Sequence, residues 1–359
     1  ILGIAVDHAN RFPLRLIGFI STMQMKTAAV QMHMSRAHAI HLQRMGRHCQ
    51  ALGLLERARA LVGESIQLFN HYPPGTGLAE DYHILGQIEY QTSATEAAQT
   101  AYQNSLEIYR RAEIETGIAS NLISLGVIAK NRGEFSQAIQ LYSECMQIFE
   151  QRNDQRGIWT CLINLGNIAN VQENYQEALR LYQEALLAVQ PSGDPSRLAL
   201  TLVNLGSVAR ETCDLGAAFH YYQDSLNTSR KIGDQRILTA SLDGLGKTHL
   251  KRGNLTLARN YLAEAARSAQ QAGLLPQLLD SLVSLGLLHL EQDPLRLALR
   301  ILMAITRHPA CPAHVKHQAD EGLAKAASRI NTQEIKRWQE ETSSIEEIFH
   351  LALETPATE

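Results

Sequence analysis

Cysteine is scarce in this chain. Five residues, Cys49, Cys145, Cys161, Cys213 and Cys311, are scattered along 359 positions, and no CxxC pair occurs. An odd, dispersed set suits free thiols better than a disulfide framework, so a reducing compartment, the cytoplasm, is expected. Long hydrophobic runs are missing too. Leu16-Ile17-Gly18-Phe19-Ile20 falls far short of the roughly 18 apolar residues that a membrane helix needs, and no secretory signal is visible. Charge of one sign is also absent. A net charge of -3 lacks the basic stripe with which a dedicated nucleic-acid binder meets phosphates. No Ser/His/Asp or Cys/His constellation is recognisable. The expected class is therefore non-catalytic, with no cofactor, no membrane contact and no direct nucleic-acid contact. The chain starts at Ile1 and not at methionine, which suggests a piece of a longer protein.

What is present is a repeat. Leu-Gly stands at 85–86, 125–126, 165–166, 205–206, 245–246 and 285–286, always 40 residues apart. Twelve residues after each glycine comes alanine (Ala98, Ala138, Ala178, Ala218, Ala258, Ala298), and four further on a large apolar residue (Tyr102, Tyr142, Tyr182, Tyr222, Leu262, Leu302). The residues around each glycine, such as Leu162, Leu165 and Ala169, form one stripe at helical spacing. Glycine inside a helix costs about 1 kcal/mol against alanine. Its recurrence implies that a second helix comes too close for a side chain. A short break, for example Arg132-Gly133-Glu134, leads to a second amphipathic stretch with Ala178, Tyr182, Ala185 and Leu186 on one stripe. Each copy is a helical hairpin that cannot bury its apolar face alone, so the hairpins must stack into an all-α solenoid.

The repeat also decides what Gly244-Leu245-Gly246-Lys247-Thr248 is. The segment looks like the end of a phosphate-binding loop. That motif needs GxxxxGK[ST] between a strand and a helix, and the first glycine would fall on Ser241. Gly246 instead shares its column with Gly126, Gly166 and Gly206. The segment is expected to be mid-helix, with its amides already bonded.

With these columns in hand, the chain resembles tetratricopeptide repeats (TPR). The 40-residue period, longer than the usual 34, is similar to the repeats of kinesin light chain and of LGN/rapsyn-type adaptors. Asn153–Leu186, NDQRGIWTCLINLGNIANVQENYQEALRLYQEAL, more closely resembles the C-terminal arrays of bacterial STAND ATPases and of AfsR- or MalT-like regulators. The resemblance implies a right-handed superhelix and a sensor or interaction region of a larger bacterial signalling or transcription regulator. A peptide or protein would lie in the concave groove, and an upstream ATPase or effector domain would be a further partner. A stand-alone scaffold bridging two proteins is the alternative.

In such repeats the open face of the first helix of each hairpin lines the groove. Four columns carry it here: Ser120, Ile123, Val127, Lys130; Thr160, Ile163, Asn167, Asn170; Leu200, Val203, Ser207, Arg210; and Ala240, Asp243, Lys247, Leu250, with Asn164 and Asn204 at the edge. Asparagine can bond both edges of an extended backbone, and Lys or Arg can meet carboxylates. The candidate binding residues are therefore Lys130, Asn164, Asn167, Asn170, Asn204, Arg210 and Lys247. His308, Cys311, His314 and His317 recur every third residue, but Pro309 and Pro312 prevent one helix across them, and no second half-site accompanies them. A second group, His33, His38, His41 and His48, offers at most two ligands on one face. No metal site is expected.

The expected organisation is a helical remnant over 1–25, a divergent hairpin and loop over 26–77, six repeats over 78–310, and capping helices and tail over 311–359. Gly46-Arg47-His48-Cys49-Gln50-Ala51 matches Gly133-Glu134-Phe135-Ser136-Gln137-Ala138, which puts the first hairpin seven residues out of register. Ser343-Ser344-Ile345-Glu346 has the form of a capping box that opens a last short helix.

Overall fold

A computed structural model describes residues 34–292, 295–327, 329 and 344–354. The segment 1–25 and His33 lie outside them. Among the described residues there is no strand. The helices are α1 (34–51), α2 (Leu55–Phe69), α3 (Thr76–Gln91), α4 (Thr95–Arg111), α5 (Glu115–Asn131), α6 (Phe135–Gln151), α7 (Gln155–Val171), α8 (Tyr175–Val189), α9 (Pro195–Glu211), α10 (Leu215–Ile232), α11 (Gln235–Lys251), α12 (Leu255–Gln271), α13 (Leu275–Gln292), α14 (Leu295–Arg307), α15 (Ala313–Ala327) and α16 (Ile345–Glu354). None of them is long and apolar enough to cross a membrane.

The chain divides into two compact units, Ile1–Asn153 and Asp154–Glu359. In the first, α3 pairs with α4 and α5 with α6, and α4 lies against α5. In the second, the hairpins are α7/α8, α9/α10, α11/α12 and α13/α14. Their first helices also touch one another, α9 on α11 and α11 on α13.

The repeated columns are contact points. A Cβ built on Gly166 would stand 2.5 Å from Cε1 of Tyr182, and one on Gly126 2.7 Å from Cε1 of Tyr142. So the body that approaches each glycine is the large residue sixteen positions on, in the partner helix. Ala138, Ala178, Ala218 and Ala258 beside them are fully buried.

Turn geometry repeats at half that period. Gly53, Ser93, Glu113, Gly133, Asn153, Glu173, Gly193, Cys213, Gly233, Gly253 and Gly273 all have positive φ. They fall at 20-residue steps, with position 73 alone missing from the series. Each follows a helix C-terminus and lets the chain turn back. After Glu173, the amide of Asn174 donates to the Ala169 carbonyl at 2.9 Å, and after Gly253 that of Asn254 to His249 at 2.9 Å. These are Schellman closures, which favour a left-handed residue. The next helices are then capped by Asp154, Asp194 and Asp234, each accepting from two backbone N–H groups.

The first hairpin corrects one expectation. Gly46 lies within α1, and a Cβ there would meet Val62 Cγ2 at 2.6 Å. Ala58 is fully buried twelve residues on, and Gly53 supplies the left-handed turn. The hairpin is thus in the common 40-residue register with Gly86, and the seven-residue offset is absent. Gly46 is the helix glycine; Gly53, not Gly46, matches Gly133.

At the other end, Ile348, Phe349 and Ala352 of α16 share a core with Leu282, Ile301 and Leu302. The capping box exists one residue later than expected. Ser344 Oγ accepts from Glu347 N–H at 3.2 Å, and Ser344 N–H donates to Glu347 Oε2 at 3.1 Å.

Candidate binding face

The phosphate-loop look-alike lies in the middle of α11. Gly244 faces the Tyr222 ring and Gly246 faces Leu262. Thr248 Oγ1 donates to the Gly244 carbonyl at 2.7 Å. The backbone there is closed in its own helix and has no amides to offer a phosphate.

Lys247 has other work. Its ammonium stands 2.7 Å from Asp243 Oδ2 and 3.0 Å from each oxygen of Asp280. Its side chain is only 17% exposed. Burial disfavours the charge, but the two carboxylates outweigh burial and hold the lysine pKa above its ordinary value. Burial also acts on Asp280, yet Lys247 prevails and keeps it below the usual carboxylate range. Asp243 is pushed up by burial. Ser284 Oγ lies 3.5 Å from Asp243 Oδ1.

Arg210, on α9, is 14% exposed and pairs with Glu211 at 2.7 Å. Lys251 in turn binds Glu211 at 3.0 Å and the Arg210 carbonyl at 3.2 Å. Arg210, Glu211 and Lys251 thus tie α9 to α11, and Asp243, Lys247 and Asp280 tie α11 to α13; Arg210 also acts through space on both aspartates, so three cations balance three carboxylates. Two of the expected carboxylate receptors, Arg210 and Lys247, already hold carboxylates of the chain itself. Asp280 was not among the candidates, although it sits six residues before Gly286, in the column of Ser120, Thr160 and Leu200. Reading the same columns one copy further finds it.

The asparagines are different. Asn167 accepts from the Tyr182 hydroxyl at 2.7 Å through Oδ1, which leaves its two amide hydrogens. Asn164 donates to the Thr160 carbonyl at 2.9 Å, which leaves its oxygen. Asn170 has a buried Oδ1 without a hydrogen-bond partner among the described residues, as has Arg210 at Nε. Asn204 is half-buried on α9. The second unit therefore gathers Asn164, Asn167, Asn170, Asn204, Arg210 and Lys247. At its edge Trp159, Leu200, Ile237 and Leu274 line an open cleft of about 790 Å³, where the Arg197 guanidinium lies 5.0 Å over the Trp159 ring.

Lys130 belongs to α5 of the first unit. It is half-buried, and burial lowers its pKa, with no carboxylate contributing. The first unit has its own polar face. Gln50 bonds Gln87 at 3.3 Å, Gln87 bonds His83 at 3.1 Å, and His83 bonds Asn121 at 3.0 Å.

Of the histidine groups, His308 takes the Ala310 N–H at 3.1 Å, and His317 lies 3.8 Å from Glu321. Among the described residues no three His, Cys, Asp or Glu side chains are placed to hold a metal ion.

Residues 85–327 match the family described as the MalT-like TPR region. No curated protein sequence matches the chain. Among solved structures, the apo quorum sensor NprR from B. thuringiensis is similar with a TM-score of 0.67 at 16% identity, over 89% of this chain and 92% of that one. Aspartyl phosphate phosphatase F from Bacillus subtilis is similar with a TM-score of 0.62 at 14% identity, over 87% and 74%. A signal transduction ATPase with numerous domains and a TPR sensor, from Pyrococcus horikoshii, is similar with a TM-score of 0.56 at 13% identity, over 84% of this chain and 49% of that one. At these identities the likeness is one of fold.

Proposed function

Because the chain belongs to the family of MalT-like TPR regions, we propose that it is a non-catalytic binding module, the sensor or interaction part of a larger bacterial regulator. Its ligand is an extended peptide or protein segment, held on the open face of α7 and α9. The observation that carries this reading is the set of half-buried amides with unused hydrogen-bonding capacity. Asn167 keeps two donors and Asn164 an acceptor, while Asn170, whose Oδ1 is buried, has only its amide hydrogens to offer. A peptide backbone offers both complements at each residue. The fold neighbours add support, since one of them is a sensor of a multidomain ATPase and another a quorum sensor. In such a regulator, binding would change the contacts made with an upstream ATPase or effector domain.

The charge network alters the expected ligand chemistry. Arg210 and Lys247 are internally neutralised, so in the second unit they shape the floor instead of attracting acidic peptides. The test is to isolate a partner on the immobilised chain and then measure its affinity by calorimetry. Asn167→Ala together with Asn170→Ala should weaken it at least tenfold. Unchanged affinity would remove the reading.

One observation favours the scaffold alternative, a second surface in the first unit. A cavity of about 430 Å³ is floored by Leu106, Leu125, Ile128 and Leu141 and rimmed by Gln99, Glu107 and Arg110. Simultaneous binding of two proteins, with the second one lost on Leu141→Lys, would support that reading.

A further inference from the structure

A hydrogen-bonded chain recurs between successive hairpins. In the first unit, Asn121 Nδ2 donates to Ser105 Oγ at 2.9 Å, and Ser105 Oγ donates to the Ala79 carbonyl at 2.6 Å. In the second, Ser241 Oγ lies 2.8 Å from Ser225 Oγ, which donates to the Ala199 carbonyl at 2.8 Å. The three positions are related by the 40-residue register. In each case the hydroxyl in the middle spends its one hydrogen on the carbonyl. A close contact from the residue five places before the repeat glycine is then satisfied when that residue supplies a hydrogen, as the Asn121 amide does; Ser241 shares its one hydrogen between Ser225 Oγ and its own Ile237 carbonyl, both at 2.8 Å.

Asp81 occupies that place in the first full repeat. Ser65 Oγ lies 2.9 Å from the Ala39 carbonyl and 2.5 Å from Asp81 Oδ2. A serine has one hydrogen. If it went to Asp81, the Ala39 oxygen would face the hydroxyl lone pairs with no proton between them. The other carboxyl oxygen, Oδ1, accepts from Gln43 Nε2 at 2.8 Å. One oxygen accepting and the other placed to donate is the pattern of a neutral carboxylic acid.

The surroundings favour the same state. Asp81 is 0% exposed. From α1 it is faced by Gln43 and Arg47, from α2 by Ser65, from α3 by Glu80, and from α4 by Tyr109. Arg47 and Glu80 pair with each other, so no cation is reserved for Asp81. We infer that Asp81 carries a proton in the folded chain, and that its ionisation loosens the first hairpin, α1–α2, from α3. Burial raises the group to about 6 from 3.8, so the release falls within the range of cellular pH. The resulting device responds to pH without a histidine and is independent of the binding reading above.

Hydrogen exchange of the whole chain, corrected for intrinsic rates, tests this between pH 4.5 and pH 8. Opening of α1 and α2 should rise by about thirtyfold across that range in the wild type, as proton linkage between a folded value of about 6 and an open value of 3.8 requires. It should stay flat in Asp81→Asn, which supplies the donor that Asn121 supplies in the next repeat. A flat wild type, or the same rise in Asp81→Asn, would overturn the inference. Infrared spectra of the wild type give a second reading that needs no variant. A protonated carboxyl band must persist at pH 5.5, above the range of exposed carboxylates, and its absence there would equally overturn it.

Discussion

Gly166 and Tyr182 touch with no room between them: a methyl group on the glycine would lie within 2.5–3.0 Å of three ring carbons of the tyrosine. The ring is almost fully buried and cannot swing away. Gly166→Ala should therefore destabilise the second unit by about 1–3 kcal/mol through overpacking, although alanine is the better helix former by about 1 kcal/mol. Urea denaturation measures the balance, and a stabilised variant would show that the contact is looser than described.

Removing Lys247 should be more damaging. Lys247→Met leaves Asp243 and Asp280 buried without their shared cation, and breaking such a pair costs about 3–5 kcal/mol. The loss should depend on pH. In the variant both carboxylates are raised in the folded state, so folding takes up protons and stability returns as pH falls. The gap from wild type should narrow below about pH 5, and Asp280→Asn in the same chain should restore part of the loss at neutral pH.

Glu173 holds φ at 58°, where an L-residue pays about 1–2 kcal/mol. Glycine removes this strain but raises the entropy of the unfolded chain by about 0.5–1 kcal/mol. Glu173→Gly should stabilise the α7/α8 hairpin slightly, by up to about 1 kcal/mol, with a small rise in melting temperature. Gly133→Glu should do the reverse.

Ser344→Ala should fray α16 alone. The loss of an N-cap costs about 1 kcal/mol. Exchange protection should fall in Ile345–Glu354 while α9 to α12 are unaffected.

Most of the fold was legible because its columns are steric. A glycine, an alanine and a tyrosine kept in phase record where two helices meet, and Gly86 to Leu302 obey that rule. The first hairpin hides its register, because Met45 and Val62 stand where Leu and Tyr stand elsewhere, while Gly46 and Ala51 copy the spacing of a turn. Gly46, Ala58 and Val62 carried the correct register all along. The site was legible only in part. The asparagines were visible, and so was Asp243 four residues before Lys247; the second partner, Asp280, lies in the groove column of Ser120 and Thr160 but one copy beyond the four that were read, 33 residues from Lys247. The polar position of Asp81, Asn121, Thr201, Ser241 and Ser281 was also written in the chain. It faces the neighbouring hairpin and not the groove, and so lies outside the four columns that mark the binding face.

The left-handed turns at every twentieth residue have a genetic corollary. An in-frame loss or gain of forty codons anywhere between Asp154 and Gly273 removes or adds one whole module and leaves every junction with a partner of its own kind. A change of three or seven codons rotates a helix out of its seat. Length variation among relatives should therefore come in steps of the module, and recombination between copies is the route by which such arrays would grow or shrink.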